Sequence, residues 1–244
     1  MKRYLGIDTS GAVSAALVTV DGDHVHARSE TFEEPRRHAE RLAPIIERAL
    51  ELEGADRAEV RGIAVGTGPA PFTGLRAGLV TARVLGLALG VPVWGVPGPD
   101  AIAAAAAAHG RIPGGDVPAP GALPDGTPVL VVTDARRREV YWARYEVRGS
   151  EAVRVAPPSV GAPADVPRTP DDVVLGTGCE LYPEVFGPPD ERFVGAPQLR
   201  HPDPFRLVLV ALARDAAGEP QPTEPLYLRR PDAVPPAGAK RVLA

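Results

Sequence analysis

Residues 66–76, GTGPAPFTGLR, form a glycine- and proline-rich loop that runs straight into a long apolar segment. The spacing predicts a helix over Thr73–Leu89, and Gly74, Gly78, Ala82 and Gly86 recur every four residues along it, which places them on one side. Glycine inside a helix costs about 1 kcal/mol relative to alanine, so a stripe of this kind implies that another element comes very close. Two readings fit equally: the stripe lies on the protein's own sheet or neighbouring helix, or it faces another subunit. Small residues four apart also mark packed transmembrane helices. Here Arg76, Arg83 and Pro92 interrupt the apolar run before it could span a bilayer.

Upstream of the loop, VRGIAV at 60–65 reads as a buried parallel strand feeding it. Earlier still, Tyr4–Ile7, Val13–Val20 and His24–Thr31 are apolar or alternating runs, with Asp21-Gly22 as a hairpin signal between the last two. They predict an antiparallel meander. Leu42, Ile45, Ile46, Ala49 and Leu52 then share one face of a helix ending near Gly54. Downstream, VPVWGV at 91–96 reads as a strand and is followed by an alanine-rich helix to about His109, giving the order βββαβαβα.

Residues 111–128 are proline- and glycine-rich without periodicity and mark the boundary between two lobes. The second half restarts with PVLVVTDA, a strand ending in aspartate, and the alternating EVYWARYEV. A Pro-rich loop at 157–172, a strand in DVVLGTG and an amphipathic helix in FRLVLVALARDAAG follow. The reading divides the chain into lobes at 1–109 and 110–204, a helix and strand at 205–231 returning to the first lobe, and a loose tail at 232–244.

Composition narrows the function. The chain has 244 residues, 44% hydrophobic and 24% charged, enough for a sizeable core. A net charge of −4 argues against a protein that grips nucleic acid by itself. One cysteine, Cys179, excludes an internal disulfide, and with no apolar leader the expected compartment is the cytoplasm.

Six pieces in order, LGIDTS (5–10), HAERLAPII (38–46), GTGPAPFTGLRAG (66–78), DARRREVYWARY (134–145), GTG (176–178) and PLYLR (225–229), resemble the TsaB (YeaZ-type) family of the ASKHA superfamily. The resemblance implies an α/β, two-lobed ASKHA fold (actin/Hsp70-like, ribonuclease H-like) with mixed sheets flanked by helices. It also implies a non-catalytic scaffold or activating subunit that forms a heterodimer with TsaD, with TsaE in a larger assembly and tRNA contacted indirectly. Threonylcarbamoyl transfer to the adenosine beside the anticodon would then occur on TsaD, where ATP and metal are expected. The implied contact pairs the helices near 37–53 and 73–89 with their TsaD equivalents, through His38, Leu42, Ile45, Ile46 and Ala49, and through Gly74, Leu75, Gly78, Leu79, Ala82 and Gly86. Two rivals are an active ASKHA ATPase or phosphotransferase using Asp8 and Asp134, and a freestanding homodimer.

Departures from the family pattern matter. Ala70 and Pro71 stand where the family loop has Gly-Ser, removing conformational freedom and an N–H, so the loop is a poor phosphate cradle. Arg137-Arg138 replaces a pair ending in glycine and makes a basic cluster, Arg136 to Arg138, at a hairpin, read either as a solvated turn or as a phosphate or RNA contact. Asp8, Thr9, Asp134, Gly176 and Gly178 are candidates for a vestigial nucleotide site, although Asp-Thr-Ser-Gly is also ordinary turn chemistry. His38 lacks a ligand partner four residues on, His24, His26, His109 and His201 are scattered, and no metal is expected. Ser10, Ser14, Thr73 and Cys179 lack the arrangement of a hydrolase nucleophile.

Overall fold

The apolar runs of the first half pair into a five-stranded mixed sheet, described here from a computed structural model that covers residues 1–32, 38–109, 122–188, 190–193 and 195–229. Its elements are β1 (Lys2–Asp8), β2 (Val13–Asp21), β3 (His24–Phe32), α1 (His38–Leu52), β4 (Val60–Gly66), α2 (Phe72–Leu89), β5 (Val93–Val96) and α3 (Gly98–Ala107). The strand order is β3-β2-β1-β4-β5, with β1–β3 antiparallel and β4 and β5 parallel to β1. The second half adds β6 (Pro128–Asp134), β7 (Val140–Arg148), β8 (Glu151–Gly161), β9 (Val173–Leu175), the one-turn helices α4 (Gly178–Leu181) and α5 (Pro183–Phe186), and α6 (Pro204–Ala216). Its sheet runs β8-β7-β6-β9. The architecture is two mixed sheets flanked by helices.

One face of the first sheet is covered by α1 and α2. Helix α1 contributes Leu42, Ile46 and Ala49, and α2 contributes Leu75, Leu79 and Ala82, over Leu5, Ile7, Leu17 and Ile63. The glycine stripe of α2 lies on this side. A Cβ at Gly78 would run into the Thr9 hydroxyl and one at Gly86 into the Val93 side chain, so glycine is what lets α2 settle onto its own sheet. Of the two readings of the stripe, the structure takes the intramolecular one.

The other face of that sheet, with Tyr4, Ala16, Val18, Ala64 and Val96, is closed by Leu207, Val208 and Ala211 of α6. Gly6 permits this, since a Cβ there would strike the Pro204 carbonyl. Helix α3 goes the other way. Ile102, Ala103 and Ala106 belong to the core of the second sheet with Val129, Val131, Ala143, Tyr145 and Leu175. The expected boundary at residue 109 puts this helix with the first lobe; in the structure it bridges the two, with Ala101 in the α6 cluster on the first sheet and Ile102, Ala103 and Ala106 in the core of the second. Where the two helices touch, buried Asp100 of α3 accepts hydrogen bonds from Arg214 of α6 (2.6 Å) and Tyr145 of β7 (2.6 Å), with Arg154 of β8 at 3.3 Å.

Two further expectations change. The Pro-rich stretch from 157 was read as loop, yet β8 continues through Pro157 and Pro158 to Gly161. It can because β8 is an edge strand and the two prolines sit at an irregularity of the ladder with β7, between the pairs Trp142–Ser159 and Arg144–Ala156. The helix and strand expected at 205–231 are a helix and an extended strap. After α6 the strap makes isolated backbone bonds, from Gly95 N–H to the Gln221 carbonyl and from Leu226 N–H to the Thr67 carbonyl. The Pro/Gly segment expected at 111–128 lies largely outside the described residues, as does the tail after 229.

Candidate functional site

Between the lobes lies an open cleft of about 710 Å³. Thr9, Ser10 and Gly11 from the β1–β2 turn and Phe72–Gly74 at the head of α2 line one side; Thr133, Asp134, Arg136, Thr177, Glu180, Arg200 and His201 line the other. The two sides are built alike, by a strand that ends in aspartate and turns back antiparallel, with Asp8 opposite Ser14 and Asp134 opposite Val140.

Asp8 itself does not line the cleft. Its carboxylate is 1% exposed; Oδ1 accepts from the Ser10 N–H (2.9 Å) and hydroxyl (2.7 Å), while Oδ2 is buried without a hydrogen-bond partner. Oδ2 lies against Gly66, where a Cβ would collide with it. Burial pushes the carboxyl up to about 7, partly offset by the Ser10 hydrogen bonds. Asp8, expected as a nucleotide-site residue, is thus folded under the strand end, with Oδ1 held by Ser10 and Oδ2 turned to Gly66. Its neighbour Thr9 is a brace, donating from its hydroxyl to the Gly74 carbonyl at 2.8 Å.

Asp134 does face the cleft and is used locally. Its Oδ1 accepts from the Arg136 N–H at 2.7 Å and its Oδ2 lies 3.1 Å from the Arg136 guanidinium. Gly176 and Gly178 have a packing reason: a Cβ on either would run into Val132, and Gly176 sits at φ 92°. Arg136, Arg137 and Arg138 are exposed, with φ of 62°, 56° and 61°. Three consecutive non-glycine residues in the left-handed region cost about 1–2 kcal/mol each. The turn is held by Ala135 N–H to the Glu139 carbonyl (3.1 Å) and Glu139 N–H to the Arg136 carbonyl (3.0 Å). Arg229, at the end of the strap, donates to the Ala135 carbonyl at 3.2 Å and pairs with Glu139.

No arrangement for covalent catalysis is assembled among the described residues. The Ser10 hydroxyl is occupied by Asp8. Cys179 is 3% exposed, and burial raises its thiol to about 11, far from the thiolate a nucleophile needs. No group of three or more potential metal ligands occurs among the described residues.

The helices expected to meet a partner present different residues from those expected. On α1, Leu42, Ile46 and Ala49 are buried and Ile45 is half-buried; His38 opens the helix, and its side chain lies outside the described residues. On α2, Leu75, Gly78, Leu79, Ala82 and Gly86 are buried and Gly74 is half-buried. The buried side chains among these already belong to the protein's own core and are not presented outward. The outward face of α2 carries Val80, Val84 and Leu87, exposed by 59%, 59% and 87%. Their spacing of four and three residues was legible in the sequence as a second apolar stripe on the same helix, masked by the glycines. Beside them the strap fixes two arginines: Arg83 donates to the Thr223 hydroxyl (2.8 Å) and carbonyl (2.7 Å), and Arg76 donates to the Tyr227 hydroxyl (2.8 Å) while lying over the Phe72 ring. By length and composition α2 could cross a membrane; in the fold it is a layer on the first sheet.

Residues 32–173 match the family model described as TsaD, tRNA N6-adenosine threonylcarbamoyltransferase. The chain is 30% identical to the Escherichia coli tRNA threonylcarbamoyladenosine biosynthesis protein TsaB, covering 75% of this chain and 74% of that one. It is 39% identical to an uncharacterized Mycobacterium leprae protein over 96% of its own length, but spans only 57% of that protein. An uncharacterized Mycobacterium tuberculosis protein, also 39% identical, is spanned over 95% of its length. Among solved structures, YeaZ from Pseudomonas aeruginosa superposes with a TM-score of 0.68 at 27% identity, covering 93% of this chain and all of that one.

Proposed function

This chain belongs to the TsaB (YeaZ) family, and from that membership we propose that it takes part in threonylcarbamoyladenosine biosynthesis on tRNA as a non-catalytic subunit that pairs with TsaD. The pairing surface is the outward side of α1 and α2, with Val80, Val84 and Leu87 at its centre. The observation that carries this reading is that apolar stripe, a row of large side chains that no described residue of the chain covers. Two helices of a partner laid against this row and against α1 form a four-helix contact of the sort that apolar stripes favour. Catalysis, ATP and metal belong to partner subunits, TsaE joins the larger assembly, and the compartment is the cytoplasm. The buried, self-engaged Asp8 and the Arg136-paired Asp134 weigh against the ATPase reading.

Size-exclusion chromatography with light scattering tests the proposal, using the chain and TsaD from the same organism. A one-to-one species is expected with the unaltered chain and its loss with Val84→Asp/Leu87→Asp, with circular dichroism and melting unchanged because both positions are exposed. Two separate peaks for the unaltered pair, or undisturbed pairing in the variant, would overturn it. A homodimer of the chain alone that the same variant dissolves would show the stripe meeting its own copy.

A further inference from the structure

We propose that the free edge of β3 is a self-pairing surface: two copies of this chain join β3 to β3 antiparallel across a two-fold axis at Ser29, running their first sheets into one. The edges of the two sheets are not alike. The β5 edge is covered by the strap, with the Gly95 N–H bonded to the Gln221 carbonyl. The β8 edge carries Pro157 and Pro158 and an irregular ladder, and β9 has only three residues. Covers, prolines, irregularities and brevity are how sheet edges are kept from pairing. Among the described residues β3 has none of these: it is nine residues long without proline, in unbroken register with β2 from Asp21 opposite His24 to Val13 opposite Phe32. The turn also fixes which backbone groups face outward. With two residues in the turn, Gly22 and Asp23, the pair Asp21 and His24 is hydrogen-bonded. The even-numbered residues of β3 therefore bond to β2, and Val25, Ala27, Ser29 and Thr31 point their N–H and C=O groups off the sheet. Among the described residues none of these groups has a backbone partner.

The side chains choose the occupant and the register. His26, Arg28 and Glu30 lie on the α1 face, where Glu53 meets His26 at 3.0 Å and Arg28 at 3.3 Å. Charges on an edge ordinarily guard it. Two of opposite sign, two residues apart, guard it only against wrong partners. An antiparallel copy centred on Ser29 sets Arg28 opposite Glu30 of the second copy and Glu30 opposite its Arg28, while Ala27 faces Thr31. Centring on Arg28 or on Glu30 instead would put like charges directly opposite, which is destabilising. One strand thus specifies both its partner and its register, the self-complementary arrangement of a two-fold dimer. The edge lies at the far end of the sheet from β4 and β5, where α2 packs. Each copy therefore keeps Val80, Val84 and Leu87 open, and the pairing does not depend on what that stripe meets.

Cysteine crosslinking of the full chain tests this directly, since the native Cys179 is 3% exposed and does not compete. In the proposed pairing Ser29 sits on the axis, with its two Cα atoms about 5.5 Å apart and within disulfide reach. Thr31 faces Ala27, so its two copies stand too far apart along the strands. Under mild oxidation Ser29→Cys is expected to give a covalent dimer about tenfold faster than Thr31→Cys. Adding Glu30→Arg to Ser29→Cys sets two arginines against each other and is expected to slow the crosslink about fivefold or more. In sedimentation over a concentration series the unaltered chain is expected to dimerise reversibly, and Ser29→Pro, which removes an outward N–H and spares the β2 ladder, to stay monomeric with native circular dichroism. Equal crosslinking at positions 29 and 31, a crosslink undiminished by Glu30→Arg, or an unaltered chain that is monomeric at every concentration overturns the proposal. So does a dimer that Val84→Asp/Leu87→Asp dissolves, which would be the α2 stripe meeting its own copy; retention of the dimer in that variant is the expected result.

Discussion

At the end of β1 the aspartate is folded inward, capped by its own Ser10 and pressed against Gly66. At the end of β6 the aspartate stands open at the cleft and fixes a turn of three arginines. Both turns follow an antiparallel strand pair in a mixed sheet. What separates them is the surroundings. In the first, Thr9 bonds to the Gly74 carbonyl at the start of α2, so the loop is sealed under the helix. In the second, the helix after β9 is a single turn, and the hairpin is left at the surface with the strap behind it. Whether an aspartate becomes core or surface chemistry is decided by the next helix along, not by the strand that carries it.

That contrast can be broken most severely at Gly78. Leucine there has no room between α2 and Thr9, so Gly78→Leu is expected to cost about 3 kcal/mol or more by overpacking. Loss of soluble folded monomer, or a large drop in the urea midpoint, checks it. An unchanged melt would mean that the helix does not seal the first turn, and would restore the glycine stripe as an outward surface.

A middle-sized effect is expected at Asp8. Its folded carboxyl is raised to about 7 from 3.8, so between those values the folded protein holds a proton that the unfolded chain releases. The contribution is therefore complete below about pH 4 and lost as pH climbs through 7. Asn keeps an acceptor for Ser10 and cannot ionise. Asp8→Asn should flatten the fall in stability between pH 5 and 8 and leave the variant about 1–3 kcal/mol more stable than the parent at pH 8. Equal slopes for the two proteins in thermal melts across that range would remove the distinction between a buried and an open aspartate. The smallest effect belongs to the second turn: Arg138→Gly relieves a left-handed arginine but adds backbone freedom to the unfolded chain, a net gain under about 1 kcal/mol. A loss of stability in denaturant titration would show that the arginine side chain itself holds the turn.

Much of this was legible from residues alone. The meander was set by alternation and Asp21-Gly22, and the inner face of α1 by Leu42, Ile46 and Ala49. The second α2 stripe was equally readable, but glycines at a fixed spacing drew attention to the wrong side of the helix. Other features were beyond local reading. Alanine-rich α3 carries no signal of which sheet it will join, and Asp100 ties it to both lobes through Arg214, Tyr145 and Arg154, partners 45 to 114 positions away. The prolines of β8 mark an edge strand only once the sheet order is known. Asp8 and Asp134 look alike in the sequence, each ending a strand, because their burial depends on helices far along the chain.

The late position of α6 sets an order for the birth of the protein. The face of the first sheet that receives Leu207, Val208 and Ala211 stays bare until those residues have been translated, while α1 and α2 can close the opposite face early. At ordinary elongation speeds the nascent chain carries that apolar sheet surface for on the order of ten seconds, with its cover not yet synthesised. A stop codon before α6 would leave no smaller working version of the molecule, but a half-covered sheet suited to chaperones and proteases.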